Sequence, residues 1–111
     1  MNLYLALLFA ILFEVTGTML LPLTKEFSKL IPTSLVIIFY SLSFYLLSVA
    51  VVKLPLPIVY ASWAGLGVFL IAVLSKFIFD QSLSWQVIVG LVLIILGVIL
   101  VNTFSGSHEV E

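Results

Sequence analysis

The sequence predicts an all-α integral membrane protein: a single domain of four transmembrane helices spanning residues 1–111. Three observations lead there. Hydrophobic residues make up 64% of the chain and charged residues only 8%, against roughly a quarter charged in ordinary globular domains. Such a chain lacks the polar surface of a water-soluble fold, so lipid must serve as solvent for much of it. Four apolar runs, at residues 3–21, 33–52, 57–79 and 85–104, each approach the ~20 residues that carry a helix across ~30 Å of hydrocarbon. The breaks between them are short and hold nearly all the charge, which forces successive helices to pack antiparallel. A β-barrel would alternate apolar and polar residues over about ten positions, whereas LVLIILGVIL near the end is apolar throughout.

The first run has no basic stretch ahead of it and no small-residue cleavage site, so it reads as a retained helix and not a signal peptide. It closes at PLTKEFSKLIP, which carries Lys25, Glu26 and Lys29 and ends in Pro32; proline at a helix start removes only an N–H that is unpaired there anyway. KLPLP separates the second and third runs and DQSLS the third and fourth. The polar tail, residues 105–111, holds the single histidine, His108, and is expected to fray. Four spans put both termini on one side. Lys25, Lys29 and Lys76 flank the opposite side and Lys53 the terminal side. That bias places the first and third breaks in the cytoplasm, but it is small, and Lys76 must snorkel to contribute, so dual insertion stays open.

Several function classes drop out. Cysteine is absent, which removes disulfides and cysteine-based metal or nucleophile chemistry; no cofactor or metal is expected. A net charge of −1 with four basic residues does not make a nucleic-acid surface. Beyond Glu14 the spans offer scattered Ser and Thr, Asn102 and Lys76, with no His or Cys to pair with them, so an enzyme is not expected.

What remains to explain is FAILFEVTGTMLL, where Glu14 lies inside a bilayer-spanning run whose nearest lysine, Lys25, is three turns away. An ionisable residue at that depth marks a site for substrate, ion or proton. Desolvation disfavours its charged form, which poises it to trade a proton for a cation. Ala10 and Gly17 flank it, and Thr18 shares its face; small residues there let another helix approach closely. Tyr4 lies about three turns before the acid on roughly the same side, as an interfacial anchor or a wall of the site. In VYASWAGLG, Tyr60 and Trp63 share a helix face, and Tyr40, with Ser43 and Phe44 beside it, could add a third aromatic wall. An organic cation gains there from ring faces and from the acid together. Gly65 and Gly67 read as a hinge, or as flat surface for a packing neighbour. Gly90 and Gly97 read as a helix–helix contact of the fourth run, with Asn102 near its end. Four helices have few faces left to line a chamber. A second copy, giving eight helices and two acids, is the natural completion, and two carboxylates in one chamber would titrate as a coupled pair.

FEVTGTMLL, FYSLSFYLLS and VYASWAGLG, with NTFS near the end of the fourth run, resemble the small multidrug resistance transporters from end to end. The resemblance implies proton-coupled antiporters of the bacterial inner membrane, exporting hydrophobic and quaternary ammonium cations as usually antiparallel dimers. It assigns Glu14 to proton and cation alike, Tyr40, Tyr60 and Trp63 to cation contact, Tyr4 to their neighbourhood, and the fourth helix to the dimer contact. Pro22 departs from the family pattern, where a basic residue is common. So do Ala64, where Ser is common, and Lys76 and Asp80, which stand near positions that tend to carry an aromatic and a small residue. These unsettle orientation and substrate range. Gly17 and Thr18, where the guanidinium-exporting branch typically carries Trp, favour the hydrophobic-cation branch. The alternatives are a small structural or regulatory membrane protein, one half of a heterodimeric pair of this type, and a guanidinium or polyamine exporter.

Overall fold

The computed structural model describes residues 2–105; His108 and the rest of the polar tail after Ser105 lie outside them. The described residues form four α-helices: α1 (Leu3–Leu20), α2 (Leu30–Ala50), α3 (Leu56–Ile78) and α4 (Trp85–Ser105). All four are long and apolar enough to cross a membrane. Asn2 starts α1, its side-chain oxygen accepting from the Tyr4 N–H at 2.8 Å, one of the donors a helix start leaves unpaired. The first helix stops at Leu20, one residue short of the expected bound, and Leu21–Thr24 continue as a 3₁₀ turn containing Pro22. Pro22 has no N–H to give the Thr18 carbonyl four residues back, and the Leu21 N–H takes that acceptor instead, which tightens the turn.

The turn into α2 is unusual. Lys25, Glu26 and Phe27 all have positive φ, at 49°, 61° and 64°, a region that costs non-glycine residues roughly 1–2 kcal/mol each. Thr24, 2% exposed, holds it together. Its carbonyl accepts from the Ser28 and Lys29 N–H groups at 2.9 and 3.0 Å, and its hydroxyl oxygen from the Phe27 N–H at 3.2 Å. α2 then begins at Leu30, ahead of Pro32 and three residues earlier than expected, because proline is tolerated anywhere in the first turn and does not delimit it. It ends at Ala50 where residue 52 was expected, with Val51 capping it. α3 starts one residue early, at Leu56, and closes where Asp80 adopts φ 54°, the left-handed conformation that glycine more often supplies after a helix.

α1 is the central helix and packs against α2 and α3, while α4 rests against α3. Leu7, Ile11 and Val15 of α1 form the core with Val59 of α3 and with Ala50 and Leu54; Ala6 and Ala10 meet Leu46 of α2. Of α4's most apolar stretch only 6% is buried, against 33% for α1. The outer faces of α4 are therefore left for lipid or for another chain.

Candidate functional site

Three helices converge on Glu14. A chamber of about 240 Å³ is lined by Glu14 of α1, Tyr40, Ser43 and Phe44 of α2, and Trp63 of α3. α1 and α2 approach closely here because small residues face the neighbour. Ala10 is fully buried, and a Cβ on Gly17 would stand 2.9 Å from the Tyr40 ring carbons Cδ1 and Cε1. The missing side chain at Gly17 thus lets the Tyr40 ring lie across α1. That placement delivers the phenol to Thr18, at 2.6 Å between the two oxygens. Thr18 Oγ1 in turn donates to Glu14 Oε1 at 3.1 Å. A hydroxyl has one proton to give, so with Thr18's committed to the acid, Tyr40 donates to Thr18. The other carboxyl oxygen, Oε2, is buried without a hydrogen-bond partner among the described residues.

A second chain of hydrogen bonds orients the indole. Trp63 Nε1 donates to Ser43 Oγ at 3.2 Å, and Ser43 Oγ donates to the Ala10 carbonyl at 2.7 Å. Ser43 is 0% exposed, so this three-helix link is internal. The Trp63 ring lies 5.7 Å, centroid to centroid, from both Phe44 and Tyr60. A monovalent organic cation is the ligand this constellation suits: a carboxylate with no lysine on the chamber wall, faced by aromatic rings. A larger hollow of about 470 Å³ lies on the outer face of α4, from Leu96 to Phe104. It carries no charged group and cannot do the same chemistry.

The expected site residues divide accordingly. Glu14, Tyr40 and Trp63 are brought together, and Tyr60 extends the aromatic wall while itself 61% exposed. Tyr4 is 63% exposed and does not line this chamber. Thr18, expected only as packing, bridges acid and phenol. Ser43 and Phe44 prove to be lining residues; their signal was their place one turn from Tyr40 on α2. Gly65 and Gly67 sit in an unbroken helix and both have packing neighbours. A Cβ on Gly65 would collide with Val98 of α4, and one on Gly67 would meet the Glu14 carboxyl. Asn102 Nδ2 donates to Ser62 Oγ at 2.8 Å and to the Val98 carbonyl at 2.9 Å, joining α4 to α3. A Cβ on Gly90 or Gly97 would meet nothing within 4 Å, so none of the described residues covers that stripe.

The family model described as Small Multidrug Resistance protein matches residues 2–94, a stretch that contains every chamber residue. The chain belongs to the small multidrug resistance family. Two relatives named for resistance to quaternary ammonium compounds are QacH of Staphylococcus saprophyticus, 47% identical, and QacC of Staphylococcus aureus, 45% identical. Each aligns over 105 residues, 95% of this chain and 98% of the relative. The multidrug transporter EmrE of Escherichia coli (strain K12) is 42% identical over 107 residues, 96% of this chain and 97% of its own length. This small multidrug resistance protein is accordingly a transporter and not an enzyme, and a multi-pass protein of the bacterial inner membrane, consistent with four helices of spanning length.

Proposed function

We propose that the protein exports hydrophobic and quaternary ammonium cations in exchange for protons, with proton and cation competing for Glu14. The observation that carries this reading is the carboxyl itself: one acid at the junction of three apolar helices, on a chamber walled by Tyr40, Phe44 and Trp63 with no basic partner among the described residues. Lacking a fixed counter-charge, the carboxyl must be neutralised by what arrives, either a proton or a cation. The names of the relatives, quaternary ammonium compound-resistance proteins and a multidrug transporter, favour the organic cation.

The same reading includes a second copy of the chain. A chamber of about 240 Å³ falls below the ~300 Å³ at which ligand pockets usually begin, so one chain supplies part of an enclosure. Two antiparallel chains would complete it and give the exchange two conformations open to opposite sides. A tilt of α3 at Gly65 and Gly67 is the motion that would relate them.

The test is proton release from unbuffered, detergent-solubilised protein on addition of tetraphenylphosphonium. Release is expected from the wild type, and affinity should rise with pH because binding needs the deprotonated acid. Glu14→Gln should show neither. Absence of release in the wild type, or its persistence in Glu14→Gln, refutes the proposal.

A further inference from the structure

Gly67 stands out among the glycines because its neighbour is not a hydrocarbon side chain. A Cβ there would lie 3.0 Å from Glu14 Oε2 and 3.7 Å from Cδ, with no other contact inside 4 Å. The two carboxyl oxygens therefore live in different surroundings. Oε1 is bonded to Thr18 and, through it, to Tyr40. Oε2 is buried against the bare backbone of Gly67 with no donor and no counter-charge among the described residues. An ionised oxygen would be uncompensated in that position, whereas a neutral carboxyl is tolerated there.

We infer that Gly67 is a positioning residue: its missing side chain forms a notch on α3 into which the Glu14 carboxyl withdraws when it holds a proton and from which it swings into the chamber to meet a cation. The inference rests on the exchange reading of Glu14 given above. It assigns Gly67 a part in the exchange that chain flexibility alone does not require. Other titratable groups do not share the notch. On α2, Tyr40 lines the chamber with the acid and is hydrogen-bonded to it through Thr18, and Tyr45 is exposed. On α3, Tyr60 lies beyond Trp63, and Lys76 is exposed in the last turn. On α1 itself, Tyr4 is exposed near the far end.

Gly65 supplies the control. It lies two residues away on the same helix but faces Val98 of α4, so a methyl there burdens packing, and any tilt of α3, without touching the acid. The experiment measures tetraphenylphosphonium binding by full-length protein in detergent across a pH series, for wild type, Gly67→Ala and Gly65→Ala. Because Oε2 is the free end of a flexible side chain, Gly67→Ala is expected to fold with the carboxyl displaced into the chamber. The pH midpoint of binding should then move by about half a unit or more, while Gly65→Ala keeps the wild-type midpoint.

Glu14→Asp withdraws the oxygens from α3 by one methylene. On that background Gly67→Ala should leave the midpoint where Glu14→Asp alone puts it, a non-additive pair. An unshifted midpoint in Gly67→Ala, an equal shift in Gly65→Ala, or the same shift on both backgrounds overturns the notch while leaving the exchange reading intact. Should Gly67→Ala fail to fold, the pair with Glu14→Asp must fold as well as Glu14→Asp alone; misfolding of the pair also overturns the notch. A wild type whose binding ignores pH removes the exchange reading itself, and the notch with it.

Discussion

Ser43→Ala is a one-atom deletion with consequences on three helices. In the native protein the Ser43 hydroxyl accepts from Trp63 Nε1 at 3.2 Å and donates to the Ala10 carbonyl at 2.7 Å, at a position 0% exposed. Interhelical side-chain bonds in membrane proteins average about 0.6 kcal/mol and reach about 1.7. Two of them, one leaving an indole N–H without a partner, put the cost of Ser43→Ala at about 1–3 kcal/mol. The Ala10 carbonyl loses an extra acceptance only, so most of the loss falls on Trp63. The ring should then sample more orientations, and affinity for a flat aromatic cation should drop about five- to tenfold, equivalent to about 1–1.4 kcal/mol.

Two measurements check this. Unfolding by SDS in mixed micelles reads the stability loss. Indole fluorescence reads the ring, in a Trp85→Phe background so that Trp63 reports alone. A red-shifted, more readily quenched Trp63 is expected in Ser43→Ala. If unfolding midpoint and emission both matched the parent, the hydroxyl would not be what holds the indole, and the orienting role given to this link would be wrong.

Two further outcomes are expected. Gly65→Ala should destabilise the α3–α4 contact by about 1–3 kcal/mol through overpacking against Val98. Adding Val98→Ala should recover much of that loss, which SDS unfolding of the double-mutant cycle would show. Gly97→Leu should leave each chain's own fold intact, since a Cβ there would meet no neighbouring element within 4 Å among the described residues. It should weaken self-association in lipid by about 1–2 kcal/mol, read by single-molecule co-localisation; undiminished association would remove α4 from the proposed dimer contact.

Much of this was legible in the residues. Helix number and the approximate bounds follow from apolar run length, since the bilayer fixes how long a spanning helix must be. The acid with Tyr40 and Trp63 was legible for a related reason: polar and aromatic groups deep in an apolar run have few other uses. What stayed hidden was registration between helices. Which neighbour a glycine meets depends on how α1, α3 and α4 are rotated against one another, and a single helix does not encode that. Gly65 and Gly67 look alike in VYASWAGLG, yet one receives Val98 and the other a carboxyl. Thr18 and Ser43 were similarly opaque, because a hydroxyl in a membrane helix commonly bonds its own backbone. Thr16 does so, to Leu12 at 2.8 Å, while Thr18 and Ser43 reach across. The start of α2 differs for a local reason: Pro32 sits within the first turn and does not bound it.

The division of labour among the helices constrains how the proposed exchange can be built. α1, α2 and α3 supply every chamber residue, and α4 supplies none. α4 is tied to the rest through α3, by the Val98–Gly65 contact and the Asn102–Ser62 bond, and none of the described residues packs on its glycine stripe. A change on α4 should therefore alter assembly before it alters cation chemistry, and a change around Glu14 should do the reverse. Charge adds a second constraint if two such chambers face each other. One monovalent cation neutralises one carboxylate, which leaves the second either protonated or as an uncompensated charge in hydrocarbon. The latter costs several kcal/mol, so the cation-loaded dimer is driven to keep a proton on its other acid or to admit water to it. Binding in the proposed dimer is then a property of the pair of acids. A dimer carrying one wild-type Glu14 and one Glu14→Gln should still bind a cation, because the amide is already neutral, but should lose the coupled titration that two acids share.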